Sequence, residues 1–162
     1  MSKIENLKIK IFADGADLKS IEKLNTLSYV KGFTTNPTLM RKSGVGDYTK
    51  FAKEVLKIVK GKPISFEVFS DDLKDMEKQA IEIASWGLNA NVKIPISNTK
   101  GESTVNLIDR LSKQGVMCNV TAIFAIKQLK SILNILDDNA SVFLSVFAGR
   151  IADAGIDPMP IM

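Results

Sequence analysis

A lysine stands inside an aliphatic run, Asn91-Val92-Lys93-Ile94-Pro95-Ile96. The run predicts a strand of a parallel sheet, buried on both faces. An ammonium buried there without a partner is costly, so such a lysine tends to lose its proton. A neutral, desolvated amine is a nucleophile, and with a carbonyl it forms a Schiff base. The chemistry implied is that of a carbonyl enzyme, against the alternative of an edge-strand lysine that reaches solvent. The chain has no histidine and a single cysteine, Cys118. That removes Ser-His-Asp and Cys-His machinery and leaves no ordinary zinc ligand set. Acid–base work falls to Asp, Glu, Lys or Tyr.

Other polar residues stand where strands would end. Asp14 follows Ile11-Phe12-Ala13, and reads as a site carboxylate or as a turn or helix-cap aspartate. Glu67 lies between Phe66 and Val68, where a carboxylate needs a partner, either a ligand or a salt bridge. Asn36 precedes Pro37 and reads equally as a turn residue. Thr121 and Ser145 close further β-rich runs. Arg150 follows Phe147-Ala148-Gly149 and is one of three arginines, with Arg41 and Arg110. An arginine in a glycine loop suggests a bidentate anion contact, against the alternative of a surface side chain. Cys118 and Trp86 read as packing residues.

These positions need a repeating framework. Strands are predicted over Lys8–Asp14, Gly32–Asn36, Pro63–Phe69, Ala90–Ile96, Val116–Ala122 and Ser141–Phe147. Amphipathic helical patterns fall at Leu18–Leu27, Tyr48–Val59, Asp71–Trp86, Thr104–Leu111 and Ala125–Leu136. The unit recurs roughly every 25–30 residues, the βα rhythm of a parallel sheet. A doubly wound sheet and a (β/α)8 barrel both fit. No Gly-x-Gly-x-x-Gly turn or P-loop supports the first. The row Asp14, Asn36, Glu67, Lys93, Thr121 and Ser145, late in successive strands, supports the second, since barrel enzymes gather their chemistry at that edge. Parity sets Lys93 with Asn91 and Pro95 on one face, and Val92, Ile94 and Ile96 on the other.

The chain has 162 residues, enough for one domain with a real core, and no composition shift marks a second over 1–162. Net charge is +4, with lysines spread among acids, as in Lys50-Phe51-Ala52-Lys53-Glu54. A nucleic-acid footprint needs clustering, so no nucleic-acid partner is expected. A mild positive field suits anionic substrates such as sugar phosphates. No apolar run of ~18 residues predicts a membrane span. Met1–Asn6 lacks the apolar core of a signal peptide, and a lone cysteine fits a reducing cytoplasm.

Taken together the residues resemble the transaldolase family of class I, Schiff-base-forming aldolase barrels. The matching stretches are Ile11-Phe12-Ala13-Asp14, Gly32-Phe33-Thr34-Thr35-Asn36-Pro37-Thr38-Leu39, Val92-Lys93-Ile94-Pro95, Asn119-Val120-Thr121 and Ser145-Val146-Phe147-Ala148-Gly149-Arg150. They run in the family's order over essentially the whole chain.

The resemblance implies a (β/α)8 TIM barrel of which about six βα units are present here. It implies that Lys93 forms an imine with the C2 carbonyl of a ketose phosphate, with no metal or organic cofactor. Asp14 would take the C4 hydroxyl proton. Glu67, working with Thr121 through a water, would move protons during imine formation. Thr34, Asn36, Asn119, Ser145 and Phe147 would bind substrate, and Arg150 would grip the phosphate. Transferases of this family carry Glu, Ser and Phe at Glu67, Ser145 and Phe147, whereas the fructose-6-phosphate aldolases carry Gln, Ala and Tyr. A Phe, unlike a Tyr, has no proton to donate. The reading is a transaldolase of the pentose phosphate pathway. The alternatives are an aldolase releasing free dihydroxyacetone, and an inactive truncated binding remnant. Two features depart from the pattern. Gly15 follows Asp14 where the family usually has Thr or Ser. A closed barrel needs at least ~200 residues, so a C-terminally truncated chain is expected. Oligomeric state, including a homo-oligomer, is left open.

Overall fold

The structure, a computed structural model, describes residues 7–137 and 140–162. The Met1–Asn6 reading lies outside them. Six strands alternate with helices, and strand order follows chain order from β1 to β6. The strands are β1 (Ile11–Asp14), β2 (Val30–Thr34), β3 (Ile64–Glu67), β4 (Ala90–Pro95), β5 (Cys118–Ile123) and β6 (Val142–Val146). The pairs β1–β2, β2–β3, β4–β5 and β5–β6 are parallel. This is an α/β architecture of consecutive βα units, as the rhythm of the sequence predicts, and it is consistent with the partial TIM barrel expected from the strand-end polar residues and the resemblance. The chain divides into two compact units, residues 7–67 with 83–91 and residues 68–82 with 92–162.

The first unit carries β1 to β3 with α1 (Leu18–Asn25), α2 (Pro37–Lys42) and α3 (Tyr48–Ile58). Each helix starts on a short polar side chain that accepts an otherwise orphaned amide. Asp17 takes Ser20 N at 2.8 Å, Asn36 takes Leu39 N at 2.9 Å, and Asp47 takes Lys50 N at 2.9 Å. The core holds Ile21, Phe33, Val55, Ile64 and Phe66, all nearly fully buried. Tyr48, Phe66 and Trp86 meet edge-on, with centroids 5.3–6.2 Å apart. Gly32 pairs with Phe12 across β1–β2. A Cβ there would lie 2.2 Å from the Phe12 ring, so only glycine lets that ring cover the strand.

The second unit holds most of α4 (Leu73–Ser85) and of β4, then α5 (Val105–Lys113), β5, α6 (Ile126–Leu133), β6 and α7 (Ala148–Asp153), ending in a 3₁₀ turn at Met159–Ile161. Asp72 Oδ1 accepts the Lys74 and Asp75 amides at the start of α4. Helix α5 buries Val105, Leu107, Ile108 and Leu111. Val92, Ile94, Ile96, Cys118, Val120 and Ile123 complete this core at 3% exposure or less. Burial pushes the Cys118 thiol up to about 12, which fits a packing residue.

Several boundaries differ from the sequence expectation. Lys8–Lys10 are exposed and outside β1, because β2 offers partners only from Val30 on. Asn36 lies beyond β2 as the cap of α2, a helix with too few turns to show periodicity. Likewise α7 starts directly after Phe147, so Arg150 sits in a helix and not in a glycine loop.

Candidate functional site

In the first unit, three polar residues meet at the C-terminal end of β1 and β2. Asp14 and Thr34 stand opposite each other in register. Thr34 donates its hydroxyl to Asp14 Oδ1 at 2.8 Å, and Asn36 donates Nδ2 to Asp14 Oδ2 at 3.4 Å. The Asn36 side chain therefore does two jobs: its oxygen caps α2 and its amide nitrogen faces the carboxylate. Asp14 itself is exposed. Gly15 keeps the backbone pinned despite its missing side chain, donating to Thr34 O at 3.1 Å.

Glu67 closes β3 and is half-buried. Tyr48, which the sequence reading passed over, donates its hydroxyl to the Glu67 carbonyl at 3.0 Å. Burial pushes this phenol well above its ordinary value, and the nearby Glu67 charge acts in the same direction. Its position at the start of an amphipathic helix was the available signal.

In the second unit, Lys93 lies in β4 between Val92 and Ile94, both fully buried. Its carbonyl accepts Val68 N at 3.1 Å, which fixes the backbone beneath the side chain. The strand is not buried on both faces as expected. Lys93 and Pro95 are half-buried, whereas Asn91 on their face and all of Val92, Ile94 and Ile96 are buried. From Val92 to Ile96 burial alternates as the parity predicts, and Asn91 departs from it.

Register then places partners beside the lysine. Lys93 pairs with Asn119, and Pro95 with Thr121. Asn119 is buried, and its Oδ1 accepts the Ser145 hydroxyl at 2.7 Å. An amide and a hydroxyl are thus fixed next to the amine-bearing strand. Beyond β6 the Phe147 ring meets Phe124 at 5.7 Å, and both are exposed. The Arg150 guanidinium lies 5.9 Å from the Phe147 centroid and pairs with Asp153 at 3.2 Å. The one-turn reach from Arg150 to Asp153 replaces the loop position expected from Gly149.

Two glutamines also escaped the sequence reading. Gln79 Oε1 accepts the Phe69 and Ser70 amides at 2.8 and 2.9 Å. Gln128 Oε1 accepts those of Phe124 and Ala125 at 2.9 and 3.1 Å. A Gln three residues after a helix start was a readable capping signal for Gln128. Among the described residues no group of three or more His, Cys, Asp or Glu is placed to hold a metal ion. No helix among them is long and apolar enough to cross a membrane.

Comparison with known proteins adds a family match. A family model described as Transaldolase/Fructose-6-phosphate aldolase matches residues 11–160. A probable transaldolase of Dehalococcoides mccartyi is 38% identical over 154 residues, which cover 95% of this chain and 68% of that protein. One of Streptococcus agalactiae serotype V is 38% identical over 149 residues, covering 92% and 65%. One of Methanococcus maripaludis is 40% identical over 151 residues, covering 93% and 66%. The chain spans about two thirds of the length of these curated relatives.

Proposed function

The chain belongs to the transaldolase/fructose-6-phosphate aldolase family, and on that premise we propose that it acts as a transaldolase through a Schiff base on Lys93. The observation that carries the reading is the pairing of Lys93 with Asn119, itself held by Ser145. A nucleophile needs such fixed donors and acceptors beside it to orient a polyhydroxy ketone.

The Lys93 amine attacks C2 of fructose 6-phosphate or sedoheptulose 7-phosphate. The carbinolamine loses water to give a protonated imine. Asp14 accepts the C4 hydroxyl proton, the C3–C4 bond breaks, and its electron pair moves into the imine. An aldose phosphate leaves, and a three-carbon enamine stays on the lysine. The enamine carbon then attacks the aldehyde of an acceptor such as erythrose 4-phosphate. Asp14 returns its proton to the new alkoxide, and water hydrolyses the imine. Glu67 and Thr121, through a bound water, move the protons of carbinolamine formation and breakdown. Thr34 and Asn36 hold Asp14 for this task. Arg150 binds the phosphate by exchanging its exposed Asp153 contact for the anion. No cofactor takes part in this scheme. The pathway is the pentose phosphate pathway, and the setting is the cytoplasm.

Glu67, Ser145 and Phe147 favour transfer over release, because Phe147 has no proton with which to discharge the enamine. Product analysis with fructose 6-phosphate tests this. Sedoheptulose 7-phosphate that forms only when erythrose 4-phosphate is present supports the proposal. Dihydroxyacetone formed at the same rate without an acceptor contradicts it and identifies an aldolase.

A further inference from the structure

Strand β5 carries an irregularity at the residue assigned to proton movement. Its pairing with β6 runs Cys118↔Val142, Asn119↔Phe143 and Val120↔Leu144, then resumes at Ile123↔Val146. Thr121 and Ala122 together therefore oppose the single residue Ser145, which is a β-bulge. Ala122 has φ 57°, the one positive φ outside glycine among the described residues. A side chain in that region carries a steric cost and persists only where its surroundings impose it.

The bulge changes which residues share a face. Val120 and Ile123 are both fully buried, although strict alternation would set them on opposite sides. The inserted residue returns Ile123 to the core and leaves Thr121 half-buried, next to Asn119 and opposite Ser145. Hydrogen bonds pin both flanks. Ile96 N donates to Thr121 O at 2.9 Å, and Phe147 N donates to Ile123 O at 2.8 Å. The next two amides, Phe124 and Ala125, have left the ladder, and Gln128 Oε1 accepts both. Ala125 stands at the helix N-cap without a side-chain acceptor, so only the reciprocal half of a capping box is present, in which the N3 side chain of Gln128 accepts the N-cap amide.

We propose that Gln128 is a positioning residue for Thr121: by holding the Phe124 and Ala125 amides it maintains the left-handed bulge at Ala122 that aims the Thr121 hydroxyl at the imine-forming step. The proposal rests on the transaldolase reading above. Gln128 touches no reacting atom, so its loss alters the rate of imine formation and leaves substrate affinity in place.

The test is the rate at which the 162-residue chain forms a borohydride-trappable adduct with fructose 6-phosphate, followed by mass spectrometry over a range of substrate concentrations. Gln128→Met and Gln128→Asn remove the acceptor or its reach. Each slows adduct formation by about tenfold with the half-saturating concentration unchanged, since small displacements of positioned groups have effects of this size. Gln128→Glu keeps an acceptor oxygen and restores the rate to within about twofold of the parent chain. In a Thr121→Val background, Gln128→Met slows the reaction no further, because the hydroxyl it positions is already gone. An equal slowing in both backgrounds, or none in either, overturns the positioning role while leaving the Schiff base intact. No adduct on the unsubstituted chain overturns the transaldolase reading itself, and the positioning role with it.

Discussion

Ser145 donates its hydroxyl to Asn119 Oδ1 at 2.7 Å, joining β6 to the strand paired with Lys93. The bond fixes which end of the Asn119 side chain faces the serine. Ser145→Ala leaves a buried acceptor without this donor and destabilises the protein by about 1–2 kcal/mol, read by urea unfolding. It also moves the residue toward the pattern of the aldolases in the family. The ratio of free dihydroxyacetone to sedoheptulose 7-phosphate rises in Ser145→Ala, and rises further with Phe147→Tyr. An unchanged ratio in the double variant contradicts the assigned roles.

Asp14 has both carboxylate oxygens engaged, by Thr34 and by Asn36. In the proposed mechanism it accepts the proton for C–C cleavage, after the imine forms. Asp14→Asn should therefore still give a borohydride-trapped ketose adduct while turnover drops by about 10²–10⁴-fold. Thr34→Val, which removes one positioning bond, loses less, about tenfold. Loss of the trapped adduct in Asp14→Asn would assign that residue to an earlier step.

Much of this arrangement is legible in the sequence because strands announce themselves by aliphatic runs and helices by period. Val92, Ile94 and Ile96 fix the face of Lys93 before any coordinates are known. What escapes is short or aperiodic. Helices α2 and α7 have six residues each, too few to show a stripe. Their signals were local: Asn36-Pro37 is a cap followed by a first-turn proline. The bulge in β5 is written in buried positions 118, 120 and 123, a spacing that breaks the period of two. The half-exposure of Lys93 depends on what covers the inner face of β4, which no local pattern encodes.

Tyr48 combines ring packing on Phe66 and Trp86 with a hydroxyl bond to the Glu67 carbonyl. Tyr48→Phe keeps the rings and removes only the donor, destabilising by about 1 kcal/mol. Tyr48→Ala removes the packing too and costs about 3–5 kcal/mol. Chemical denaturation of the two variants separates the contributions. Equal losses would show that the hydroxyl carries the whole effect.

Asp71 accepts the Thr99 hydroxyl at 2.6 Å and the Thr99 amide at 2.8 Å. These bonds hold its carboxyl below the ordinary value of 3.8. A carboxyl lowered by folding stabilises the folded chain above its unfolded pKa, and that contribution disappears as pH falls through the folded value. The loop bonds at Thr99 are accordingly maintained at neutral pH and lost in acid. A carboxyl-detected NMR titration should place Asp71 below 3.8 and show it moving upward in Thr99→Val. A midpoint unaffected by that substitution contradicts the assignment.

The whole proposed mechanism depends on the Lys93 amine as nucleophile. Incubation with fructose 6-phosphate and borohydride, followed by peptide mass mapping, tests it most directly. A reduced adduct confined to the peptide containing Lys93, and none in Lys93→Ala, is the expected result. An adduct on another lysine, or an undiminished adduct in Lys93→Ala, would contradict it.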